Sequence, residues 1–172
     1  MQVKPLVFNS TPLIYLSKVG LNGIIETLAG EKLTSPLVKQ EVVDKGKLKG
    51  IPDAIALEKL FDYGVFKLCE PRDKEFLSQL AETRGLHVAD AEVLALAKEC
   101  EGLAVIDDEV ARKTAKVYGI GYLGTPYVLA RAVFEGLLSK GQAKLALKDV
   151  VSVGWRCSLE SYANIMEFID KV

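Results

Sequence analysis

The chain has 172 residues, is 49% hydrophobic, and sets 22 Lys+Arg against 23 Asp+Glu for a formal net charge of −1. This length and apolar content suit one domain, residues 1–172, with a single sizeable core. The charge balance excludes a global positive field that would recruit nucleic acid or an anionic membrane surface, so any such binding has to be local.

Three separated cysteines, Cys69, Cys100 and Cys157, form no CxxC pair. The odd count fits a reducing compartment better than a disulfide framework. No export signal and no membrane-length apolar run is evident, so the expected location is cytoplasmic.

In chain order, VKPLVF (3–8) reads as a short buried strand stopped by a polar cluster. Ser10 or Thr11 is then placed to cap a helix with Pro12 in its first position and Gly20 at its end. A short helix follows over LNGIIETLA. The same punctuation returns with a strand around Leu33, Ser35 as cap, Pro36 as first helical residue and Gly46 as stop, leaving KGKLKG (45–50) as the one obvious linker.

A helix from Pro52 to Tyr63, a strand VFKLC and a helix from about Arg72 to Arg84 come next. They lead to the apolar helix ADAEVLALAKEC, the strand LAVID and the helix EVARKTAKVYG. A third Thr-Pro start occurs at YLGTPYVLARAVFEG, with Thr125 as cap and Pro126 as first helical residue. From about residue 141 the chain reads as a mainly helical extension, broken near VGWRCS and resumed at SLESYANIMEFIDKV with Ser158 or Ser161 as cap. Strands alternating with helices give an α/β fold, a mostly parallel sheet covered on both faces.

Ligands of such sheets collect at the carboxyl ends of the strands, where strand order reverses. Several acids fall there. Glu41 lies three and four residues beyond Val38 and Leu37, on their helical face; it reads either as a boundary glutamate whose stem covers the core or as a site residue. Asp90 shares the stripe of Val93, Leu94 and Ala97, and reads as a helix cap or a catalytic acid. The one histidine, His87, reads as structural or exposed.

Asp107 and Asp108 end the strand LAVI, where one can cap the next helix while the other faces the crevice. Convergence of these carboxylates near Asn9 would raise their pKa values unless a cation held them, which implies a hard divalent ion, Mg²⁺ or Mn²⁺. The lack of paired Cys/His ligands argues against zinc.

VFNSTPLIYLSKVG, SPLVKQEVV and ADAEVLALAKECEGLAVIDDEVARKTAKVYGIGYLGT together resemble the PIN-domain family, metal-dependent ribonucleases that include VapC-type toxins. The likeness runs in order over residues 3 to about 138. It implies three layers, α/β/α, around a five-stranded parallel sheet in the order 3-2-1-4-5. By the same resemblance the family's first acid falls on Asn9, its hydroxyl on Ser10 or Thr11, its second acid on Glu41 and its third on Asp90.

The fourth acid falls on Asp107 or Asp108, with Asp108 favoured and Ile106 standing where the family has threonine. Asn9 therefore replaces an aspartate, which removes a negative charge while keeping a carbonyl oxygen; its ordinary reading is a hydrogen bond across the strand end that holds Asp108 or Ser10. The spelling NSTPLI resembles a PIN subgroup similar to toxin components.

What the resemblance implies is hydrolysis of RNA phosphodiesters to 5′-phosphate and 3′-hydroxyl ends by the toxin of a toxin–antitoxin pair, with a homodimer and a small antitoxin as partners. Asp90 and Asp108 would be the main metal ligands, and Glu41 would complete the outer shell or orient the nucleophile. Candidate RNA contacts are Lys45, Lys47 and Lys49, and Arg112, Lys113 and Lys116, each of which also reads as solvated surface. The rival class is a catalytically degenerate scaffold that binds RNA or a protein. A phosphoacceptor receiver domain fits worst, because Asn9 and Ser10 occupy the slot where it needs acids.

Overall fold

The computed structural model describes residues 3–172. Its strands are β1 (Leu6–Phe8), β2 (Lys32–Thr34), β3 (Phe66–Leu68), β4 (Leu103–Val105) and β5 (Gly121–Leu123). They form one sheet in the order 3-2-1-4-5 with every pairing parallel, as the resemblance implies. Leu6 and Val7 face Lys32 and Leu33 on one side; Leu6, Val7 and Phe8 face Leu103, Ala104 and Val105 on the other.

A central parallel strand is covered on both faces, which is why its side chains are all apolar instead of alternating. Leu6, Val7 and Phe8 are each fully buried. Phe8 meets Phe66 edge-on at 5.5 Å, and truncating such a core phenylalanine costs about 3–5 kcal/mol. The strand is thus a rigid base for whatever follows it.

The helices are α1 (Ser10–Lys18), α2 (Asn22–Thr27), α3 (Pro36–Lys39), α4 (Lys45–Leu48), α5 (Pro52–Asp62) and α6 (Lys74–Ala81). They continue as α7 (Val88–Glu99), α8 (Glu109–Val117), α9 (Thr125–Phe134), α10 (Lys140–Ser152) and α11 (Leu159–Lys171). Helices α6, α7 and α8 pack together in one layer, and α1, α5, α9 and α10 in the other. Helix α11 packs on α9 and α10. Among the described residues, no helix is long and apolar enough to cross a membrane.

Local expectations need four corrections. The linker expected at 45–50 is helical over Lys45–Leu48: α3, a π-helical segment Gln40–Asp44 and α4 run on with helical backbone up to there. Gly46 is not a stop but a buried contact, since a Cβ there would stand 2.7 Å from the Ala54 Cβ. The chain turns at Gly50, whose φ of 67° suits glycine.

Second, Asn9 itself, not Ser10 or Thr11, caps α1. Third, α9 starts from Gly124, and Thr125 is already helical. Last, Asp90 is inside α7, with His87 in the cap position, so it is not a cap. Ser35 caps α3, and of the two serines offered for α11, Ser158 is the cap.

Candidate active site

The order 3-2-1-4-5 reverses between β1 and β4, and the residues leaving those two strands stand side by side. The Asn9 backbone N–H donates to the Val105 carbonyl at 3.0 Å. Asn9 is nearly buried, and both ends of its side-chain amide are used: Oδ1 accepts from the Ser10 N–H at 2.8 Å, while Nδ2 donates to Asp90 Oδ1. These two partners fix which end is nitrogen, because only the carbonyl oxygen can accept from a backbone N–H. The carbonyl oxygen thus caps α1 and holds Ser10, one of the two partners expected of it, and the amide nitrogen holds Asp90, which was not among them.

Asp90 is 4% exposed on α7, a helix whose apolar residues are buried on almost every side. Its carboxyl is pushed above the ordinary aspartate range, first by burial and then by the Asp108 charge. The His87 backbone, the Asn9 amide and the His87 ring pull in the opposite direction but do not cancel it. A buried carboxylate that feels a second one is an electrostatic liability unless a proton or cation offsets it.

Glu41 reaches the same place from the π-helical segment, a widened turn that occurs often at functional sites. The Ser10 hydroxyl donates to Glu41 Oε2. Asp108 caps α8 by accepting from the Ala111 N–H at 2.8 Å through Oδ1. Asn9, Ser10, Thr11, Glu41, Asp90 and Asp108 all line one open crevice of about 700 Å³, with the exposed His87 also on its wall.

Asp107 does not line that crevice. Its Oδ1 accepts from the Thr125 N–H at 2.8 Å and its Oδ2 from the Thr125 hydroxyl at 2.6 Å, tying the end of β4 to the start of α9. Burial pushes its carboxyl up as well, against the Thr125 donors, Trp155 and the Arg112 charge. It faces a neighbouring cavity of about 750 Å³ that shares Thr11 and Asp108 with the acid crevice.

The basic candidates separate. Lys47 is engaged by Glu58 at 2.8 Å and Lys113 by Glu109 at 2.6 Å. Lys45 and Lys49 join Lys18, which sequence reasoning missed, around a smaller cavity reaching the far side of Glu41. Arg112 lines the cavity beside Asp107 and Asp108, whereas Lys116 is simply exposed. Trp155, Arg156 and Tyr127, on that same cavity wall, were also missed. Their one visible signal was a tryptophan beside an arginine in the helix break VGWRCS.

The donor set fits a hard divalent cation of the magnesium type, which keeps several waters and needs only one or two carboxylates plus substrate oxygens. It does not build a cage from protein alone. Among the described residues, no group of three or more His, Cys, Asp or Glu side chains stands close enough to hold a metal.

A family model, DUF3368, described as a PIN domain, matches residues 5–171. No curated protein matches the chain in sequence.

Proposed function

The chain belongs to the PIN-domain family, a nuclease fold that generally uses divalent metal ions and binds RNA, and from that premise we propose that it is an endoribonuclease that hydrolyses RNA phosphodiesters with Mg²⁺ or Mn²⁺. The observation that carries this reading is the Asp90 carboxyl, raised by burial and then by the Asp108 charge in a crevice that also holds Glu41. Asp90 and Asp108 would hold the cation. When bound, it neutralises charge on the phosphoryl oxygens and eases deprotonation of the attacking water.

The chain's own groups position everything else. Asn9 donates to one oxygen of Asp90 and leaves Oδ2 for the crevice; Ser10 donates to one oxygen of Glu41 and leaves Oε1 to accept from the attacking water. The same reading makes the chain a single PIN-like domain with a helical extension from about residue 141. It acts as a toxin whose crevice is plugged by a small antitoxin, and it works as a homodimer in the cytoplasm.

One observation favours a second reading, a scaffold that binds RNA or protein without cutting. The Asn9 amide supplies Asp90 with a donor where the family's acid would supply a charge, so Asp90 is partly satisfied without metal. An RNA cleavage assay with Mg²⁺ or Mn²⁺ separates the two, comparing the native chain with Asp90→Asn and Asn9→Asp. Cleavage by the native chain that is lost in Asp90→Asn supports the enzyme; equal background from all three leaves the scaffold.

A further inference from the structure

The cavity beside the acid crevice carries chemistry that a metal site does not need. We propose that it is a subsite for single-stranded RNA, taking the nucleotide next to the scissile phosphodiester, with that nucleotide's phosphate on Arg112 and Arg156 and its base against Tyr127. This rests on the ribonuclease reading of the acid crevice and adds to it the path of the substrate.

Continuity comes first. Thr11 and Asp108 form part of both walls, so a strand lying in one cavity runs directly into the other. At about 750 Å³ the second cavity has the size of a ligand cleft, commonly about 300–1,000 Å³. Phosphates recur once per nucleotide along RNA, so one phosphate can lie in the acid crevice while the next lies beside the arginines.

Charge comes second. Among the described residues neither Arg112 nor Arg156 makes a salt bridge, in contrast to Lys47 and Lys113. Asp107 and Asp108 share this wall, and Asp107 feels the Arg112 charge, but the hydrogen bonds of Asp107 go to Thr125 and that of Asp108 Oδ1 to the α8 cap. Guanidinium groups bind phosphate oxygens in pairs with planar geometry, which makes arginine better suited to this place than lysine.

An aromatic platform completes the set. Tyr127 is 42% exposed, and Phe168 holds its ring edge-on at 5.3 Å and 62°. An exposed aromatic face beside unpaired cations is the combination used by proteins that hold single-stranded nucleic acid without reading its sequence. The segment carrying Trp155 and Arg156 is tethered to α1 by the Tyr15 hydroxyl, which donates to the Gly154 carbonyl at 3.2 Å. An acidic peptide would also answer the two arginines. It has no base to set against Tyr127, however, and RNA answers both the arginines and the ring.

Trp155 is the only tryptophan in the chain and lines this cavity, so its fluorescence reports occupancy directly. The probe is a labelled single-stranded oligoribonucleotide in EDTA, which separates binding from metal-dependent cleavage. Binding should change Trp155 emission. Arg156→Gln, at an exposed side chain, should weaken affinity about tenfold and reduce the slope of log K against log salt by about 0.7, as expected for one lost phosphate contact.

Tyr127→Leu should weaken affinity by a similar factor with the slope unchanged, and Tyr127→Phe should restore it, because stacking needs the ring and not the hydroxyl. Matched circular dichroism and melting curves keep the comparison to folded protein. Native affinity and slope in both Arg156→Gln and Tyr127→Leu overturn the subsite. So does a Trp155 response to a polyglutamate peptide with none to RNA, which makes this a protein-docking cavity. Binding that depends on Arg156 and Tyr127 without any cleavage in Mn²⁺ upholds the subsite and removes only the nuclease reading.

Discussion

Asp90 and Asp107 are two aspartates at the carboxyl edge of the same sheet, both raised by burial, yet their surroundings differ in kind. Asp107 is furnished with donors: the Thr125 N–H and hydroxyl take one oxygen each. Asp90 has the Asn9 amide on one oxygen and the His87 backbone and ring in its favour, but these do not cancel its burial and the Asp108 charge. A buried acid is therefore not by itself a sign of chemistry. What distinguishes a reactive carboxylate from a structural clip is whether its neighbours complete it or leave it needing a cation.

The largest effect expected from this contrast is on cleavage. Asp90→Asn should lower the Mn²⁺-dependent rate at least about a hundredfold, because a direct cation ligand is lost. Asp107→Asn should stay within a few-fold of native, since an amide oxygen still accepts from the Thr125 N–H. Equal losses in the two variants would mean that Asp107 also serves the reaction and that the distinction is false.

Stability should rank the pair the other way. Asp107→Ala strands the N–H and hydroxyl of Thr125, a residue with no exposed surface, and leaving buried donors unpaired costs about 1–3 kcal/mol each. A urea titration should show the midpoint falling with the slope unchanged. A midpoint equal to native would remove Asp107 from its role as a tie between β4 and α9.

Asn9→Asp acts on the other member of the contrast. It replaces the amide that donates to Asp90 with a buried negative charge beside that carboxyl, so the metal-free protein should lose about 1–2 kcal/mol. Mn²⁺ should restore that loss and more, because the added charge tightens cation binding and bound ligand stabilises by mass action. Destabilisation that Mn²⁺ leaves untouched would show that Asn9 only caps α1.

How much of this was readable beforehand follows the range of the interactions. The Ser35-Pro36 start is local, and its cap appears where the residues placed it. The strand order came with the family resemblance, since nothing in alternation alone says which strands are neighbours. Gly46 was misread because a glycine that ends a helix and one that admits a close neighbour look alike in sequence; only Ala54, packed against it, tells them apart.

Glu41, Asp90 and Asp108 are legible as candidates in the sequence, and so is the hold of Asn9 on Ser10, but the Asn9–Asp90 hydrogen bond spans 81 positions and is not. The Lys47–Glu58 ion pair, eleven residues apart and between two helices, is likewise not legible in the sequence. Arg156 and Trp155 lie in a helix break without periodicity, so no pattern pointed to them.

The smallest effect is a slope in melting temperature against pH. Asp90 has a raised pKa in the folded protein, so the folded state holds its proton to higher pH than the unfolded chain, where aspartate titrates near about 3.9. Between those two values the folded state binds more protons, and stability must fall as pH rises; above the folded value the penalty is complete and flat. Asp107 is raised too and adds a slope of the same sign, so the wild-type curve alone does not isolate Asp90.

The difference between Asp90→Asn and the native chain does isolate it, since an amide at position 90 keeps an oxygen for Asn9 and removes only the charge. That difference should be smallest in acid, grow in favour of the variant as pH rises through the titration window, and then level off. Mn²⁺ at neutral pH should shrink it by stabilising the native chain alone. A difference that does not vary with pH would mean that Asp90 titrates as an ordinary aspartate and that Asp108 does not press on it.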